Sequence, residues 1–380
     1  MSAVSPQAAA LLGHSRRTTR VVPPGAIRLD SGDPDIDTPE PIRQAMVAAL
    51  ERGITHYGPP AGEPILAARL AIEATARGGA EYQASQVIVT HGASAALTTA
   101  MLATVGPGDR VLIPEPTYSL YTDIVHFVGG EPQNITRTRD AFRLDLDAIE
   151  AAAPGAKMIV ICNPNNPTGT VDTAAELKAL CNIAIRHGLL ILTDEAYESI
   201  VFDGRPFTSL LQFGEVADRL IYVQTFSKTY AMTGWRLGYV IAPKELAPAC
   251  QRVHAMLNGP LNPAIQYAAL AGKSECGPWV ERNREEYQKR RDLVVAALNK
   301  DGTERVRTPE GTFYAWIRHG DVRTSDEMHA LALQHGVSLR SGREFGPAGE
   351  GYIRLAFSTG GAALATGVER LLAALREVGA

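Results

Sequence analysis

The sequence predicts an α/β protein: a large domain on a mostly parallel sheet flanked by helices, with a smaller α+β domain beside it. Three observations predict it. Between residues 86 and 242, short apolar runs rich in β-branched residues alternate with turns and helical stretches, the order in which parallel strands are laid down. The residues fit for chemistry fall in the loops just beyond those runs, where open α/β sheets place their ligands. Beyond Lys244 helical segments take over, and two further strands follow near the C-terminus.

Residues 16–28 carry several basic residues and Pro23-Pro24, and read as an irregular arm. A Gly32-Asp33-Pro34-Asp35 turn precedes a helix over residues 40–52, with Pro39 and Pro41 at its start. The loop Thr55-His56-Tyr57-Gly58-Pro59-Pro60-Ala61-Gly62 is rigid at its prolines and permissive at its glycines. A strand over 86–90 turns through His91-Gly92-Ala93-Ser94 into a helix, whose first N–H groups make an anion site. Ala96 stands where the last glycine of a hydrolase G-x-S-x-G elbow belongs, so this is not that motif.

A strand over 110–113 runs into Pro116-Thr117-Tyr118, and one over 157–162 into Asn163-Pro164-Asn165-Asn166-Pro167-Thr168-Gly169. Thr173 is a natural N-cap for a helix that runs to His187 and closes at Gly188. The strand 189–193 ends in Asp194-Glu195-Ala196-Tyr197, where a carboxylate can pair with a pyridinium N–H. The run 220–223 leads to Thr225-Phe226-Ser227-Lys228, with Arg236 eight residues on, and a further strand over 239–242 follows. A lysine among hydroxyls can bind an aldehyde as a Schiff base, while Thr225 and the Arg236 fork hold a phosphate. A long amphipathic helix spans 278–299, followed by a strand over 311–317, a helix over 325–335, a loop over 342–346 and a last strand over 351–358.

Composition bounds the function. At 380 residues the chain has room for about two or three domains. Its 45% hydrophobic and 21% charged content is that of a soluble globular protein, expected to be cytoplasmic. A net charge of −4 gives no reason to expect nucleic acid or an anionic membrane as partner, and no run approaches a membrane span or a signal peptide. The widely spaced Cys162, Cys181, Cys250 and Cys276 read as reduced, buried thiols, and the nine histidines show no metal-ligand spacing, so no metal is expected.

From Leu29 to Phe357 these motifs, in this order, resemble the fold-type I pyridoxal-phosphate (PLP) enzymes, in particular the class I/II aminotransferases and their prokaryotic aspartate aminotransferase branch. The motifs that carry the resemblance are the lysine motif continued as Gly234-Trp235-Arg236-Leu237-Gly238, the N-P-x-N-P-T-G loop and D-x-A-Y. The resemblance implies a seven-stranded sheet and a division into an N-terminal arm with part of the small domain (1–45), a large PLP-binding domain (46–275) and a C-terminal small domain (276–380). It implies pyridoxal 5'-phosphate on Lys228, its phosphate held by Ala93, Ser94, Thr225 and Arg236, and its ring stacked by Tyr118. Asp194 would pair with the ring nitrogen, and Asn166 and Tyr197 with the ring oxygen. Gly32, Asn166 and Arg354 would meet the substrate carboxylate, and Tyr57 would reach the phosphate of the other subunit of a homodimer. The catalytic residues implied are Lys228, Asp194 and Tyr197.

The function so implied is transamination, the transfer of an amino group from an L-amino acid to a 2-oxo acid in amino-acid metabolism. The same parts also support elimination, replacement, cyclisation or decarboxylation. A PLP-binding transcription regulator needs an N-terminal DNA-binding domain, for which about 28 residues are too few. A nucleotide-binding P-loop ending at Gly272-Lys273-Ser274 fails because Tyr267 stands where its first glycine belongs. One departure bears on substrate. Ser94 occupies the place of a lysine that, in the aspartate-specific relatives, pairs with the substrate's distal carboxylate. Aspartate is therefore not expected to be the preferred donor unless Arg16, Arg17 or Arg20 of the arm replaces that charge.

Overall fold

The computed structural model describes residues 4–12, 22–320 and 322–379; Arg16, Arg17 and Arg20 lie outside the described residues. In chain order the elements begin with helix α1 (Pro6–Leu12), strand β1 (Ile27–Arg28), α2 (Glu40–Glu51), α3 (Pro64–Thr75), β2 (Val87–Thr90) and α4 (Gly92–Thr104). There follow β3 (Arg110–Glu115), α5 (Leu120–Phe127), β4 (Glu131–Thr136), α6 (Leu146–Ala152), β5 (Met158–Cys162), α7 (Ala174–His187) and β6 (Leu190–Asp194). Then come β7 (Leu220–Thr225), the one-turn α8 (Phe226–Thr229), β8 (Gly238–Ile241), α9 (Ala247–Asn258), α10 (Pro263–Glu275) and α11 (Gly277–Leu298). The chain ends with β9 (Tyr314–Arg318), α12 (Ser325–Gln334), β10 (Val337–Ser338), β11 (Arg340–Ser341), β12 (Tyr352–Ala356) and α13 (Gly361–Glu377).

Seven strands form one sheet in the order β2-β8-β7-β6-β5-β3-β4. Only β8 runs antiparallel to its neighbours, so the C-terminal ends of the other six share one edge. Strands β5 and β7 are buried along their whole length, the mark of a sheet covered on both faces. Alternate residues of one strand enter different cores. Ile159 and Ile161 pack with Leu66, Leu70 and Leu180 on one side. Met158 and Val160 pack with Leu97, Met101 and Val240 on the other. A third core gathers Phe313, Ile317, Ile353 and Phe357 with Val294, Leu331 and Leu371, and takes in Leu29 from the N-terminal segment. There β11, β12 and β9 form an antiparallel sheet, and β1 pairs in parallel with β10.

Local chemistry accounts for the element ends. Thr173 caps α7 in a capping box with Glu176, and Gly188 closes it in the left-handed region at φ 68°. Gln86, expected as the first strand residue, instead ends a short 3₁₀ turn, with its amide donating to Ala242 O. Gly272-Lys273-Ser274 lies inside α10, where Lys273 pairs with Glu73 at 2.8 Å. All four cysteines are buried and free. Among the described residues no helix is long and apolar enough to cross a membrane.

Candidate active site

The shared strand edge faces the three-stranded sheet across a cavity of about 400 Å³. Lys228 enters it from α8, a single turn set by Thr225. The Thr225 hydroxyl accepts from Ser227 N at 3.1 Å and donates to Leu237 O at 2.9 Å. Lys228 Nζ donates to the Gly32 carbonyl at 2.6 Å. Position 32 must be glycine for that approach, because a Cβ there would collide with the Tyr314 hydroxyl. Burial lowers the Lys228 amine to about 8, with Arg354 and Arg236 acting in the same direction and Asp33 opposing. The amine thus gives up its proton far more readily than an exposed lysine, although most of it is still protonated at neutral pH.

Asp194 closes β6. Its Oδ2 accepts from the Tyr121 hydroxyl at 2.8 Å and its Oδ1 from Ala196 N at 3.1 Å. Burial raises its pKa, while the Tyr121 and Ala196 hydrogen bonds and the charge on Lys228 hold it down. Asn166 comes from the loop after β5, and its Oδ1 accepts from Arg354 Nη1 at 2.9 Å; Arg354 Nη2 donates to Asp30 O at 2.8 Å. The Arg354 guanidinium lies 4.0 Å from the centre of the Tyr314 ring, and Tyr314 and Tyr197 share a hydrogen bond of 3.0 Å between hydroxyls.

At the other end, Arg236 sits in the left-handed region at φ 56° and donates to Thr233 O at 2.7 Å. A Cβ on Gly92 would strike its guanidinium. Gly92 therefore lets Arg236 meet the N-terminus of α4, where Ala93 and Ser94 also line the cavity. Tyr118 lines it from beyond β3.

The sequence pattern of the family "Aminotransferase class I and II" matches residues 24–371. The chain belongs to the class I and II aminotransferases. It is similar to aromatic-amino-acid aminotransferase 2 of Thermococcus litoralis, 35% identical over 93% of this chain and 92% of the relative. It is also 35% identical to the aspartate aminotransferase of Pyrococcus abyssi, over 92% of each. A crystal structure of an aromatic aminotransferase from Pyrococcus horikoshii superposes with a TM-score of 0.89 at 34% identity, covering 94% of this chain and 97% of that one. The fold is fold-type I, and the enzyme is a transaminase.

For this aminotransferase the sequence-derived residues fall into two groups. Gly32, Ala93, Ser94, Tyr118, Asn166, Asp194, Tyr197, Thr225, Lys228, Arg236 and Arg354 line the one cavity. Tyr57 does not: it is 92% exposed, beside a separate surface depression that includes Leu50, His91 and Pro263. The donor set fits a phosphorylated pyridine aldehyde and an amino acid. Arg236 and a helix N-terminus converge at one end, a buried carboxylate lies beneath, and an amine of lowered pKa stands between. Among the described residues Arg354 Nε is buried with no hydrogen-bond partner. Sequence reasoning passed over Tyr121 and Tyr314. The i, i+3 spacing of Tyr118 and Tyr121 was the available signal for the first; the second lies in an aromatic run with nothing local to mark it.

Proposed function

We propose that this transaminase works with pyridoxal 5'-phosphate carried on Lys228 and takes its amino donor and its 2-oxo acid in turn at the cavity described. Thr225, Arg236 and the N-terminus of α4 at Ala93 and Ser94 would hold the phosphate, and Tyr118 would lie on the ring. Asp194 would pair with the ring nitrogen, and Asn166 and Tyr197 with the ring oxygen. When bound, the cofactor supplies the electron sink that lets the substrate α-carbon give up its proton. Arg354 orients that carbon by gripping the α-carboxylate with two parallel hydrogen bonds. Lys228, whose amine burial makes easier to deprotonate, takes the proton and returns it. Tyr314 and Phe345, packed against the Arg354 guanidinium, hold the arginine in place.

The active unit in this reading is a cytoplasmic homodimer in which Tyr57 of one copy reaches the phosphate site of the other. Its support is the exposed Tyr57 together with the exposed apolar Val47, Leu50 and Ile72, which a monomer gains nothing by presenting. The division at 275/276, between α10 and α11, belongs to the same reading, and the pairing of β1 with β10 joins the N-terminal segment to the small domain. The expected division at 45/46 falls inside α2, whose Ile42 packs in the large-domain core, so that boundary moves ahead of α2.

The observation that carries the proposal is the meeting of Lys228, Asp194 and Arg354 in one cavity of a class I/II aminotransferase. The test is the absorption spectrum of the cofactor-loaded protein. An amino donor alone should bleach the visible band, and a 2-oxo acid should restore it. A band that no common amino acid bleaches, or one that returns without an oxo acid and with ammonia released, would contradict transamination. Across donors, aspartate should not be fastest, since Ser94 offers a neutral hydrogen bond roughly half as strong as a charge-assisted one.

A further inference from the structure

Three segments that carry site residues cross at Glu310. The loop after β5 brings Asn166, the segment after β6 brings Tyr197, and residues 309–312 lead into β9 and Tyr314. Gly169 O accepts from Glu310 N at 2.9 Å and from Gly311 N at 2.8 Å. Phe202 N donates to Glu310 O at 2.9 Å, and Thr312 N to Ile200 O at 2.8 Å. The crossing is close. A Cβ on Gly169 would collide with Pro309, and one on Gly311 with the Ile200 carbonyl.

The buried Glu310 side chain ties the same crossing a second time. Its Oε2 accepts from Val171 N at 2.9 Å, and its Oε1 accepts from Arg143 Nη2 at 2.6 Å. Arg143 Nη1 donates in turn to Val171 O, so acid and arginine grip Val171 by its N–H and its carbonyl. Arg205 adds a looser charge contact to Glu310 at 3.6 Å, and Arg143 also lies 3.8 Å from Glu176. Two residues on, Thr312 is fully buried in the left-handed region at φ 65°, an outlier for a β-branched side chain. Such strain persists only where surrounding contacts over-determine the backbone, and it clusters at functional sites. The Thr312 hydroxyl accepts from Tyr314 N at 3.1 Å, which carries the crossing directly to Tyr314.

We infer that Glu310 is a positioning residue for the substrate α-carboxylate, setting the Asn166 loop against the Tyr314–Arg354 face of the small sheet. This rests on the reading of Arg354 as the α-carboxylate grip. That guanidinium has one support from each side of the crossing. Asn166 Oδ1 accepts from its Nη1 at 2.9 Å, and the Tyr314 ring centre lies 4.0 Å from it. Asn166 stands shortly before Gly169 and Val171, and Tyr314 shortly after Glu310. A shift at the crossing therefore moves both supports at once. Two parallel hydrogen bonds to a carboxylate tolerate only about 0.5 Å of displacement. Glu310 lies outside the cavity lining and acts through Asn166, Tyr314 and Arg354. The phosphate end, built on Thr225, Arg236 and α4, hangs on other elements.

The experiment is the donor half-reaction of the cofactor-loaded protein, followed as bleaching of the visible band against donor concentration. The three common amino acids that bleach wild type fastest are compared in wild type, Glu310→Ala, Glu310→Gln and Arg354→Lys. Half-saturation reads the carboxylate grip, the limiting rate reads the proton transfer, and the amplitude reads the folded, loaded fraction. A merely structural loss lowers the amplitude and leaves half-saturation in place. Glu310→Ala should raise half-saturation about tenfold, equally for all three donors, with the limiting rate little changed. Glu310→Gln keeps an acceptor for the Val171 N–H and should fall between. If Arg354→Lys raises half-saturation while Glu310→Ala stays within threefold of wild type, or rises for one donor only, this inference alone is overturned. If Arg354→Lys leaves half-saturation unchanged, the reading of Arg354 fails and this inference falls with it. Failure of every amino acid to bleach wild type would overturn the aminotransferase reading as well.

Discussion

Tyr121→Phe isolates one hydrogen bond beneath the site. The Tyr121 hydroxyl donates to Asp194 Oδ2 at 2.8 Å, and both side chains are buried. Phenylalanine keeps the ring that packs edge-on against Tyr118 at 5.7 Å, so the change is confined to the lost donor. Asp194 would retain only the Ala196 N–H at 3.1 Å. A hydrogen bond to an ionised group contributes about 1.5–3 kcal/mol. About 2 kcal/mol corresponds to a loss of roughly 30-fold in any step that needs the ionised carboxylate. Burial already raises the Asp194 pKa and the Tyr121 bond opposes that rise, so the variant moves it further up. The assay is kcat/KM across pH. The expected result is a drop of about 10- to 100-fold near neutrality, with the acid limb displaced to higher pH. A variant within twofold of wild type, with its acid limb unmoved, would refute the role given to the Tyr121–Asp194 bond.

Two further outcomes are expected. His254 is buried on α9, 3.5 Å from His91, and burial followed by the neighbouring His91 lowers its pKa to about 4. The unfolded chain therefore binds more protons between about 6.5 and 4, and stability falls as pH drops through that window, by up to about 3 kcal/mol; urea unfolding of wild type and His254→Phe should show a shallower acid loss in the variant, and parallel curves would contradict it. Mixing inactive Tyr57→Ala and Lys228→Ala proteins should restore a fraction of the activity through hybrid dimers, and a fully active monomer in sedimentation would contradict a shared site.

The parts of the site legible in the sequence are those whose chemistry is local. Thr225-Phe226-Ser227-Lys228 forms one capped turn, and the loop from Asn163 to Gly169 is closed on itself by Asn165, whose amide donates to Thr168 Oγ1 at 2.8 Å. Contacts made only by tertiary packing left no such trace. Tyr121 lies 73 residues from Asp194, and Tyr314 lies 117 residues from Tyr197. The same distinction holds for the fold. Strands β5, β6 and β7 show as continuous apolar runs because they are covered on both faces. Strand β4, Glu131-Pro132-Gln133-Asn134-Ile135-Thr136, is a largely polar edge strand and tolerates Pro132 for that reason. Helix α3 escaped because the exposed Ile65 and Ile72 blur its apolar stripe. Helices α5, α6 and α13 were likewise not expected. Residues 342–346 read only as a loop, and nothing local marked Arg340 or Glu344; the structure places both on the cavity wall, Arg340 opposite Arg354 in the register of β11 with β12.

The central claim is that Lys228 carries the cofactor in this aminotransferase, and borohydride reduction of the pyridoxal-phosphate-loaded protein followed by peptide mapping tests it most directly. The account predicts the reduced cofactor on the peptide containing Thr225-Phe226-Ser227-Lys228, at Lys228, with Lys228→Ala retaining no covalent label. Label on any other lysine, or on none while wild type turns over, would contradict it.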